Sequence, residues 1–290
     1  MTPDPPPLDV VDAVIDIALA EDLGANGDVT SAAMVEAGTV GRAEAVARQA
    51  GVVAGVPVAA RVFQRVSAGL LAVEQTAPDG SAVAPGAVVL TVAGPVRDVL
   101  TAERTALNLL GHLSGVATLT RRWVDAVAGT GAVIRDTRKT LPGLRALEKY
   151  AVRCGGGTNH RMSLSDAGLV KDNHVLAAGG AAHAFELVRA AWPGLPIEVE
   201  VDTVDQAREV VDAGADLVLL DNMSVEEMRT AVEYAKARGA RTEASGGLTL
   251  DRARAVAETG VDYLAVGALT HSAPVLDIGL DLVMERTDLR

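Results

Sequence analysis

The chain has 290 residues, of which 49% are apolar and 22% charged, a composition typical of a soluble globular protein with one large domain or two smaller ones. A net charge of −12 and an aromatic content of 2% argue against a protein that coats a phosphate backbone or stacks nucleic-acid bases. The single cysteine, Cys154, excludes an internal disulfide framework and a cysteine-rich zinc site.

The segment from Met1 to Pro7 is rich in proline and lacks the basic and apolar regions of a signal peptide. No apolar run along the chain approaches the roughly 18 residues that a membrane-spanning helix needs. We therefore expect a cytoplasmic protein that binds neither a membrane nor nucleic acid.

The first part of the chain mixes helical and strand patterns. Apolar residues recur at helical spacing from Leu8 to Leu23, where Gly24 stops the pattern, so an amphipathic helix is predicted there. Beyond it the pattern predicts a helix near Val58–Ser67 and short strands at Ala43–Arg48, Leu70–Thr76 and Val88–Val92. This mixture predicts an N-terminal α+β domain over residues 1–112.

The second part of the chain has a different pattern. Val96 to Ala128 is helical in pattern, as one long helix or two, and short apolar runs then alternate with amphipathic stretches. That alternation is typical of a buried parallel sheet covered by helices. The predicted strands are Ala132–Ile134, Gly168–Val170, Ile197–Val201, Leu217–Leu220, Arg241–Ala244 and Tyr263–Val266, and the predicted helices are Ala181–Ala191, Val204–Ala213, Val225–Arg238 and Leu250–Glu258.

No Gly-x-Gly-x-x-Gly motif follows the first of these strands, so a parallel α/β barrel over residues 113–274 is favoured over a dinucleotide-binding fold. This division leaves residues 275–290 to return to the first domain. A charged residue or a glycine follows each predicted strand, and in a parallel barrel these strand ends open on the face that carries active sites. The residues are Arg138 and Lys139, Lys171 and Asp172, Glu200 and Asp202, Asp221 and Asn222, Ser245–Gly247, and Gly267.

A basic segment stands out in this acidic chain. Residues 135–171 contain eight Lys or Arg and three acids, a net charge of +5. Arginine offers a planar fork that matches a carboxylate, and lysine offers a mobile point charge. Within this segment Asp136-Thr-Arg-Lys-Thr140 follows a strand, and Asn159-His-Arg161 follows a triple glycine, so we predict that both segments surround a small polyanion.

Two glycine turns end the last two strands. Ser245-Gly-Gly247 and Val266-Gly-Ala268 permit close backbone approach, and their amide groups can cradle a phosphate. Phosphate sites in barrels commonly lie after these two strands. The turns therefore strengthen the prediction of a phosphorylated substrate.

Two carboxylates, Glu200 and Asp221, end adjacent strands, and their role is open. They could pair with neighbouring Lys and Arg residues. They could instead hold Mg²⁺ on a pyrophosphate, directly or through water, because Mg²⁺ prefers one or two carboxylates together with phosphate oxygens. A third interpretation is that they stabilise a positive charge developing on a sugar.

With these motifs assembled, the chain resembles the quinolinate phosphoribosyltransferase family, also called nicotinate-nucleotide pyrophosphorylase (carboxylating). The resemblance runs nearly end to end. The matching motifs are Glu21-Asp-Leu-Gly24, Gly27-Asp-Val-Thr30, Glu103-Arg-Thr-Ala-Leu-Asn108, Leu113-Ser-Gly115, Asp136-Thr-Arg-Lys-Thr140, Glu148-Lys-Tyr-Ala-Val-Arg153, Gly155-Gly-Gly-Thr-Asn-His-Arg161, Leu169-Val-Lys-Asp-Asn-His174, Glu198-Val-Glu200, Leu220-Asp-Asn222, Glu243-Ala-Ser-Gly-Gly247 and Val261-Asp-Tyr-Leu-Ala-Val-Gly267.

The resemblance implies a reaction and a fold. Quinolinate and 5-phosphoribosyl-1-pyrophosphate would give nicotinate mononucleotide, pyrophosphate and CO₂ in NAD biosynthesis, with Mg²⁺ and without an organic cofactor. The implied fold is an N-terminal α/β open sandwich followed by an irregular α/β barrel of six or seven strands. The resemblance also implies a homodimer, in which Arg104 reaches the partner's substrate.

The resemblance further implies roles for particular residues. Arg138, His160, Arg161 and Lys171 would hold the quinolinate carboxylates, and Lys139, Lys171, Glu200 and Asp221 would be catalytic. The full substrate-binding set is Arg104, Thr137, Arg138, Lys139, His160, Arg161, Lys171, Glu200, Asp221, Ser245, Gly246, Gly247, Val266, Gly267 and Ala268.

Three other functions remain open from the residues alone. A molybdenum-linked paralogue shares much of the pattern and uses another substrate. A Schiff-base aldolase would use Lys139 or Lys171 as its nucleophile. A metabolite sensor would bind the anions without turnover, although Glu200 and Asp221 would weaken such binding.

Overall fold

A computed structural model describes residues 3–283 of the chain. The elements up to the longest helix are α1 (Leu8–Leu23), α2 (Val29–Met34), β1 (Val40–Ala47), β2 (Gly51–Val52), α3 (Val56–Val66), β3 (Ala72–Gln75), β4 (Ala82–Val83), β5 (Val88–Pro95) and α4 (Val96–Ala126). The later elements are β6 (Val133–Arg135), α5 (Arg145–Cys154), β7 (Gly168–Val170), α6 (Asp172–Ala178), α7 (Ala181–Ala191), β8 (Ile197–Val201), α8 (Val204–Asp212), β9 (Leu217–Asp221), α9 (Val225–Lys236), β10 (Arg241–Ser245), α10 (Ala253–Ala257), β11 (Tyr263–Ala265), α11 (Ala268–His271) and β12 (Ile278–Val283).

The described residues form two compact units. The first contains the residues up to Arg121, Thr140–Gly156 and those from Leu269 onward, and the second contains Arg122–Lys139 and Gly157–Ala268. The sequence division placed residues 113–274 in the barrel, and of these residues 113–121, 140–156 and 269–274 lie in the first unit.

The first unit is built on an antiparallel sheet with the strand order β12-β1-β5-β3. Strand β12 comes from the end of the described chain and pairs with β1, from Arg42 opposite Val283 to Ala47 opposite Ile278. Phe63 of α3 and Leu90 of β5 are among the fully buried side chains of the first unit. The segment predicted to return to the first domain is 275–290. Its last part, residues 284–290, lies outside the described residues.

The second unit is built on a six-stranded parallel sheet with the order β6-β11-β10-β9-β8-β7. Helices connect successive strands, as burial of a parallel sheet on both faces requires. Two of these helices begin at capping boxes, Thr203 with Gln206 on α8 and Ser224 with Glu227 on α9. The prediction of an N-terminal α+β domain followed by a parallel α/β barrel is confirmed.

The predicted elements agree with the structure to within a few residues. The strands Gly168–Val170 and Ile197–Val201 and the helices Leu8–Leu23 and Ala181–Ala191 have the predicted bounds. The pattern left open between one helix and two is a single helix, α4. None of the described helices is long and apolar enough to cross a membrane.

Alternation along the parallel strands places polar side chains on one side of the sheet. Successive strand residues point to opposite faces. In β8 the buried residues Ile197 and Val199 therefore share one face, while Glu198 and Glu200 share the other. Strand β10 behaves in the same way, with Glu243 and Ser245 on one face. These polar faces line the cavities described below.

Candidate active site

The carboxyl ends of the parallel strands surround a cavity of about 280 Å³. The residues that line it include eight of the predicted substrate-binding residues. These are Thr137, Arg138, Lys139, His160, Arg161, Lys171, Glu200 and Ser245, and the remaining lining residues are Leu169, Leu219, Glu243 and Ala265. The structure therefore brings the two predicted basic segments together in one cavity.

Asp136 joins the two basic segments. Its side chain is fully buried, although an isolated buried carboxylate is costly. One carboxylate oxygen accepts a hydrogen bond from Asn159 Nδ2 at 2.6 Å, and the other accepts the backbone N–H of His160 at 2.8 Å. The turn that follows is closed by the Lys139 amide, which donates to Thr137 Oγ1 at 3.0 Å. These bonds fix the positions from which Arg138 and Arg161 enter the cavity.

Two half-buried arginines share the cavity. Arg161 Nη1 donates to the carbonyl oxygen of Ala167 at 2.9 Å. Burial lowers the pKa of Arg161, and the like charge of Arg138 lowers it further. Two guanidinium groups held this close repel each other, and a bound dianion would relieve that repulsion. The pair is therefore suited to a ligand with two carboxylates.

A lysine and two carboxylates occupy the adjacent strand ends. Lys171 Nζ donates to Glu200 Oε2 at 2.6 Å, with side-chain exposures of 46% and 12%. Burial raises the pKa of Asp221, the negative charges of Glu200 and Asp202 raise it further, and Lys171 and Lys139 oppose the change. This corner of the site thus carries more negative charge than its lysines offset.

The glycine turn after β10 lies against Asp221. Gly246 and Gly247 both have positive φ angles, +81° and +57°. A Cβ atom on Gly246 would lie 2.4 Å from Asn222 Oδ1 and 2.7 Å from Asp221 Oδ1, so the site requires glycine here. Asn222 in turn donates from Nδ2 to Asp221 Oδ2 at 2.6 Å. The close approach of the turn therefore helps to set the position of Asp221.

The turn after β11 has fewer backbone N–H groups available to a phosphate than its sequence indicates. The Val266 amide donates to the carbonyl oxygen of Arg135 at 2.9 Å, and the Val266 side chain is buried. A phosphate contact by this turn would thus have to involve Gly267 or Ala268. Neither residue lines the cavity, nor do Asp221, Gly246 and Gly247.

Arg104 belongs to the first unit and is exposed. It lines a separate cavity of about 310 Å³, with residues of α4 and of the segment that leads into the start of β12. The other lining residues are Leu107, Asn108, Val275, Leu276, Asp277 and Ile278.

Sequence reasoning singled out His160 but missed the other members of a largely buried polar group that we call the carboxylate cluster, consisting of Arg135, His160, Glu198 and Glu243. His160 Nε2 lies 2.6 Å from Glu198 Oε2 and 3.6 Å from Glu243 Oε1. Arg135 Nη1 donates to Glu243 Oε2 at 2.7 Å. The signal that could have found it is the alternation of Glu198 in β8 and of Glu243 in β10, since every second residue of a barrel strand points inward.

The site combines features that suit one chemistry. Converging arginines and lysines bind carboxylates and phosphates, and Glu200 and Asp221 add negative charge beside them. Positioning two anionic reactants against each other is the main task such a site can perform.

Comparisons with known proteins agree with this chemistry. The family model described as quinolinate phosphoribosyl transferase, N-terminal domain, matches residues 28–114, and the C-terminal domain model matches residues 116–281. The nicotinate-nucleotide pyrophosphorylase [carboxylating] of Mycobacterium leprae is 53% identical over 91% of this chain and 94% of its own length.

A probable nicotinate-nucleotide pyrophosphorylase [carboxylating] of Synechocystis is 41% identical over 96% of this chain and 94% of its own length. The solved nicotinate-nucleotide pyrophosphorylase of Francisella tularensis is 37% identical, covers 96% of this chain and 97% of its own, and superposes with a TM-score of 0.91. The chain therefore belongs to the quinolinate phosphoribosyl transferase family.

Proposed function

We propose that the chain transfers the phosphoribosyl group of 5-phosphoribosyl-1-pyrophosphate to quinolinate, giving nicotinate mononucleotide, pyrophosphate and CO₂ in the de novo synthesis of NAD. Membership of the family supports the reaction. The observation that carries the proposal is the cavity itself, in which Arg138, Arg161 and Lys171 converge with Glu200.

The cationic side chains hold the pyridine dicarboxylate. Arg138 and Arg161 each offer a planar fork that can bind one carboxylate with two parallel hydrogen bonds. Lys171 adds a third positive charge, and His160 lines the same cavity. Two arginines beside two carboxylates would explain a preference for a dicarboxylate over a monocarboxylate.

The phosphoribosyl pyrophosphate occupies the part of the site near Lys139, Thr137 and the turn Ser245–Gly247. Lys139 supplies a mobile charge for phosphate oxygens, and the glycine amides permit close approach. Gly267 and Ala268 extend this backbone surface, with Val266 holding the turn to the sheet. The pyridine nitrogen attacks the anomeric carbon, pyrophosphate leaves, and Glu200 and Asp221 stabilise the positive charge of the sugar.

Mg²⁺ fits the donor set at this corner. Glu200 and Asp221 supply carboxylate oxygens, and the raised pKa of Asp221 reflects burial together with the neighbouring negative charges of Glu200 and Asp202. A cation would neutralise that excess charge, and Mg²⁺ accepts one or two carboxylates with water and phosphate oxygens. The residues would hold the ion directly or through water, and the ion would offset the charge of the pyrophosphate.

The second half of the reaction is loss of the carboxyl group next to the ring nitrogen. Once the nitrogen carries the ribosyl group it is positively charged, and this charge stabilises the electron pair left on the ring carbon. Cations at Arg138 and Arg161 keep the ring in place, while the second carboxylate remains in the product. No organic cofactor is needed.

The test is an assay with Mg²⁺ and phosphoribosyl pyrophosphate in which quinolinate and nicotinate are compared. We expect nicotinate mononucleotide and CO₂ from quinolinate, and little product from nicotinate, because one arginine would then be left without a carboxylate. Product and pyrophosphate are measured together. Equal use of the two acids would contradict the proposed substrate.

Two rival functions are less well supported. An aldolase needs a lysine amine aimed at a carbonyl carbon, whereas Lys171 Nζ is bound to Glu200 Oε2 at 2.6 Å. A sensor that only binds anions gains nothing from Glu200 and Asp221 beside its cations. The molybdenum-linked paralogue differs in substrate, and the same assay separates it from a quinolinate enzyme.

We further propose that the enzyme is a homodimer in which Arg104 completes the partner's site, as the family resemblance implies. In that case Arg104→Ala and Arg138→Ala would each inactivate a homodimer, while a heterodimer of the two would keep one intact site. Mixing the two variants under conditions of subunit exchange should restore up to about a quarter of wild-type turnover. Exchange without recovery would contradict the proposal.

A cytoplasmic location is also part of the proposal.

A further inference from the structure

The carboxylate cluster lies between two cavities of the second unit. The first is the candidate active site at the carboxyl ends of the strands, which Glu243 lines. The second, of about 360 Å³, lies at the opposite ends, because its lining includes the first residues of five strands, Gly168, Ile197, Leu217, Arg241 and Tyr263. Glu198 lines the second cavity, and His160 lines both.

The hydrogen bonds of His160 assign the ring proton. Nδ1 accepts the backbone N–H of Arg161 at 2.7 Å, so it carries no proton in this geometry. The proton is therefore on Nε2, which donates to Glu198 Oε2 at 2.6 Å. Glu198 is the acceptor of this bond.

Glu243 is placed differently. Its side chain is fully buried, and its Oε2 accepts a hydrogen bond from Arg135. Its Oε1, like Glu198 Oε1, has no hydrogen-bond partner among residues 3–283, so the difference between the two lies in the partner of Oε2. An ionised Glu243 would add a third negative charge to those of Glu198 and Asp136, against the single permanent cation of Arg135. Two carboxylates this close do not both ionise readily in a buried setting.

The pKa of Glu243 is raised, which also favours the protonated acid. Burial raises it, the charge of Glu198 raises it further, and Arg135 opposes the change. An ionised Glu243 would also repel a dianionic substrate in the cavity that it lines. Charge balance, burial and the proposed substrate therefore all favour the protonated acid.

A metal ion is a weaker explanation of the cluster. His160, Glu198 and Glu243 offer ligand atoms within 4.8 Å of one another. However, the Arg135 guanidinium already binds Glu243 Oε2 at 2.7 Å, and a second cation beside it would be repelled.

The proposed reaction needs a proton at the position that loses its carboxyl group. We propose that Glu243 is a further catalytic residue, an acid that donates this proton to the ring carbon. The inference rests on the proposed function. It assigns to Glu243 a role in the second half of the reaction, separate from the phosphoribosyl transfer.

The step balances without another reactant. The bond between the ring carbon and the carboxylate breaks, its electron pair stays on the carbon, and CO₂ leaves. The carbon then takes the proton from Glu243, which becomes a carboxylate. Once the product has left, Glu243 regains a proton from solvent through the candidate active-site cavity that it lines.

Glu243→Gln tests this role. Glutamine keeps the shape, the neutrality and an oxygen for Arg135, but it cannot donate a carboxylic proton. With Mg²⁺, phosphoribosyl pyrophosphate and quinolinate labelled in the carboxyl next to nitrogen, we expect pyrophosphate release within about threefold of wild type. Formation of nicotinate mononucleotide should fall roughly 100-fold, and ribosylated quinolinate should accumulate.

The exposed Glu233→Gln on α9 is the matched control and should behave as wild type. Glu243→Asp retains the acid and should recover part of the product formation. A parallel fall in pyrophosphate and product for Glu243→Gln, without accumulation of the intermediate, would overturn the proposal. Wild-type enzyme that releases no pyrophosphate from quinolinate would refute the proposed function instead.

The wild-type enzyme provides a measurement that does not depend on any variant. The acid must be protonated, so the ratio of nicotinate mononucleotide to pyrophosphate should fall as the pH rises through the raised pKa of Glu243. The charged or titratable groups around Glu243 include Arg135, Asp136, His160 and Glu198, together with Tyr263, which lies opposite Glu243 on β11. A ratio that is independent of pH would overturn the role of Glu243.

Discussion

Replacing Arg138 with alanine should lower kcat/KM for quinolinate by roughly 30- to 4,000-fold, which corresponds to about 2–5 kcal/mol. Arg138 lines the cavity beside Arg161, and the two charges are close enough for one to lower the pKa of the other. Without Arg138 a carboxylate of the bound dianion loses its partner. Steady-state kinetics with quinolinate as the varied substrate measure the change.

The KM for phosphoribosyl pyrophosphate should change much less than that for quinolinate, because Lys139 is unaltered. Arg229 on α9 is exposed, so Arg229→Ala is the control for removing one positive charge from the same unit. If Arg138→Ala kept near-normal turnover at low quinolinate, the assignment of Arg138 to a substrate carboxylate would be incorrect.

The second large effect concerns Asp136, which does not line the cavity. Asp136→Ala would leave Asn159 Nδ2 and the His160 amide without their common acceptor. We expect the free energy of unfolding to fall by about 2–4 kcal/mol, since half-buried donors that lose a buried carboxylate acceptor are costly. Activity should fall as well, because the two loops that carry Arg138 and Arg161 lose their link.

Chemical denaturation measures the loss of stability, and kinetics below the unfolding transition measure activity separately. The control is Asp205→Ala, because this carboxylate is 91% exposed and its ion pair with Arg208 contributes little. A variant of Asp136 with unchanged stability and unchanged substrate affinity would show that the Asp136 bonds do not hold the two loops.

Strand and helix patterns made most of the fold predictable. Buried strands such as Ile197–Val201 have an apolar pattern that can be recognised from their own residues alone. All strands of a parallel sheet run in the same direction, so the residues that follow them can be predicted to lie at one end of the sheet. The candidate site was predictable for the same reason, since Lys171, Glu200 and Ser245 sit at strand ends and line one cavity.

The buried polar residues could not be predicted in the same way. Glu243 and Glu198 lie within strands, where the prediction was of an apolar interior, and only pairing across the sheet shows which cation or histidine each contacts. His160 shows the same difficulty. Its sequence context predicted a substrate ligand, whereas its two ring nitrogens contact Glu198 and the Arg161 amide. Such partners depend on tertiary contacts that local patterns do not contain.

The pairing of β12 with β1 has a consequence for how the chain is made. Arg42 and Val283 lie opposite each other, although about 240 residues separate them, so this contact has a very high sequence separation. During synthesis one edge of β1 stays unpaired until the whole barrel sequence has been translated. An exposed edge is a site of aggregation. Shortened chains that end before residue 278 should therefore be recovered mainly as insoluble material, even when the barrel is complete.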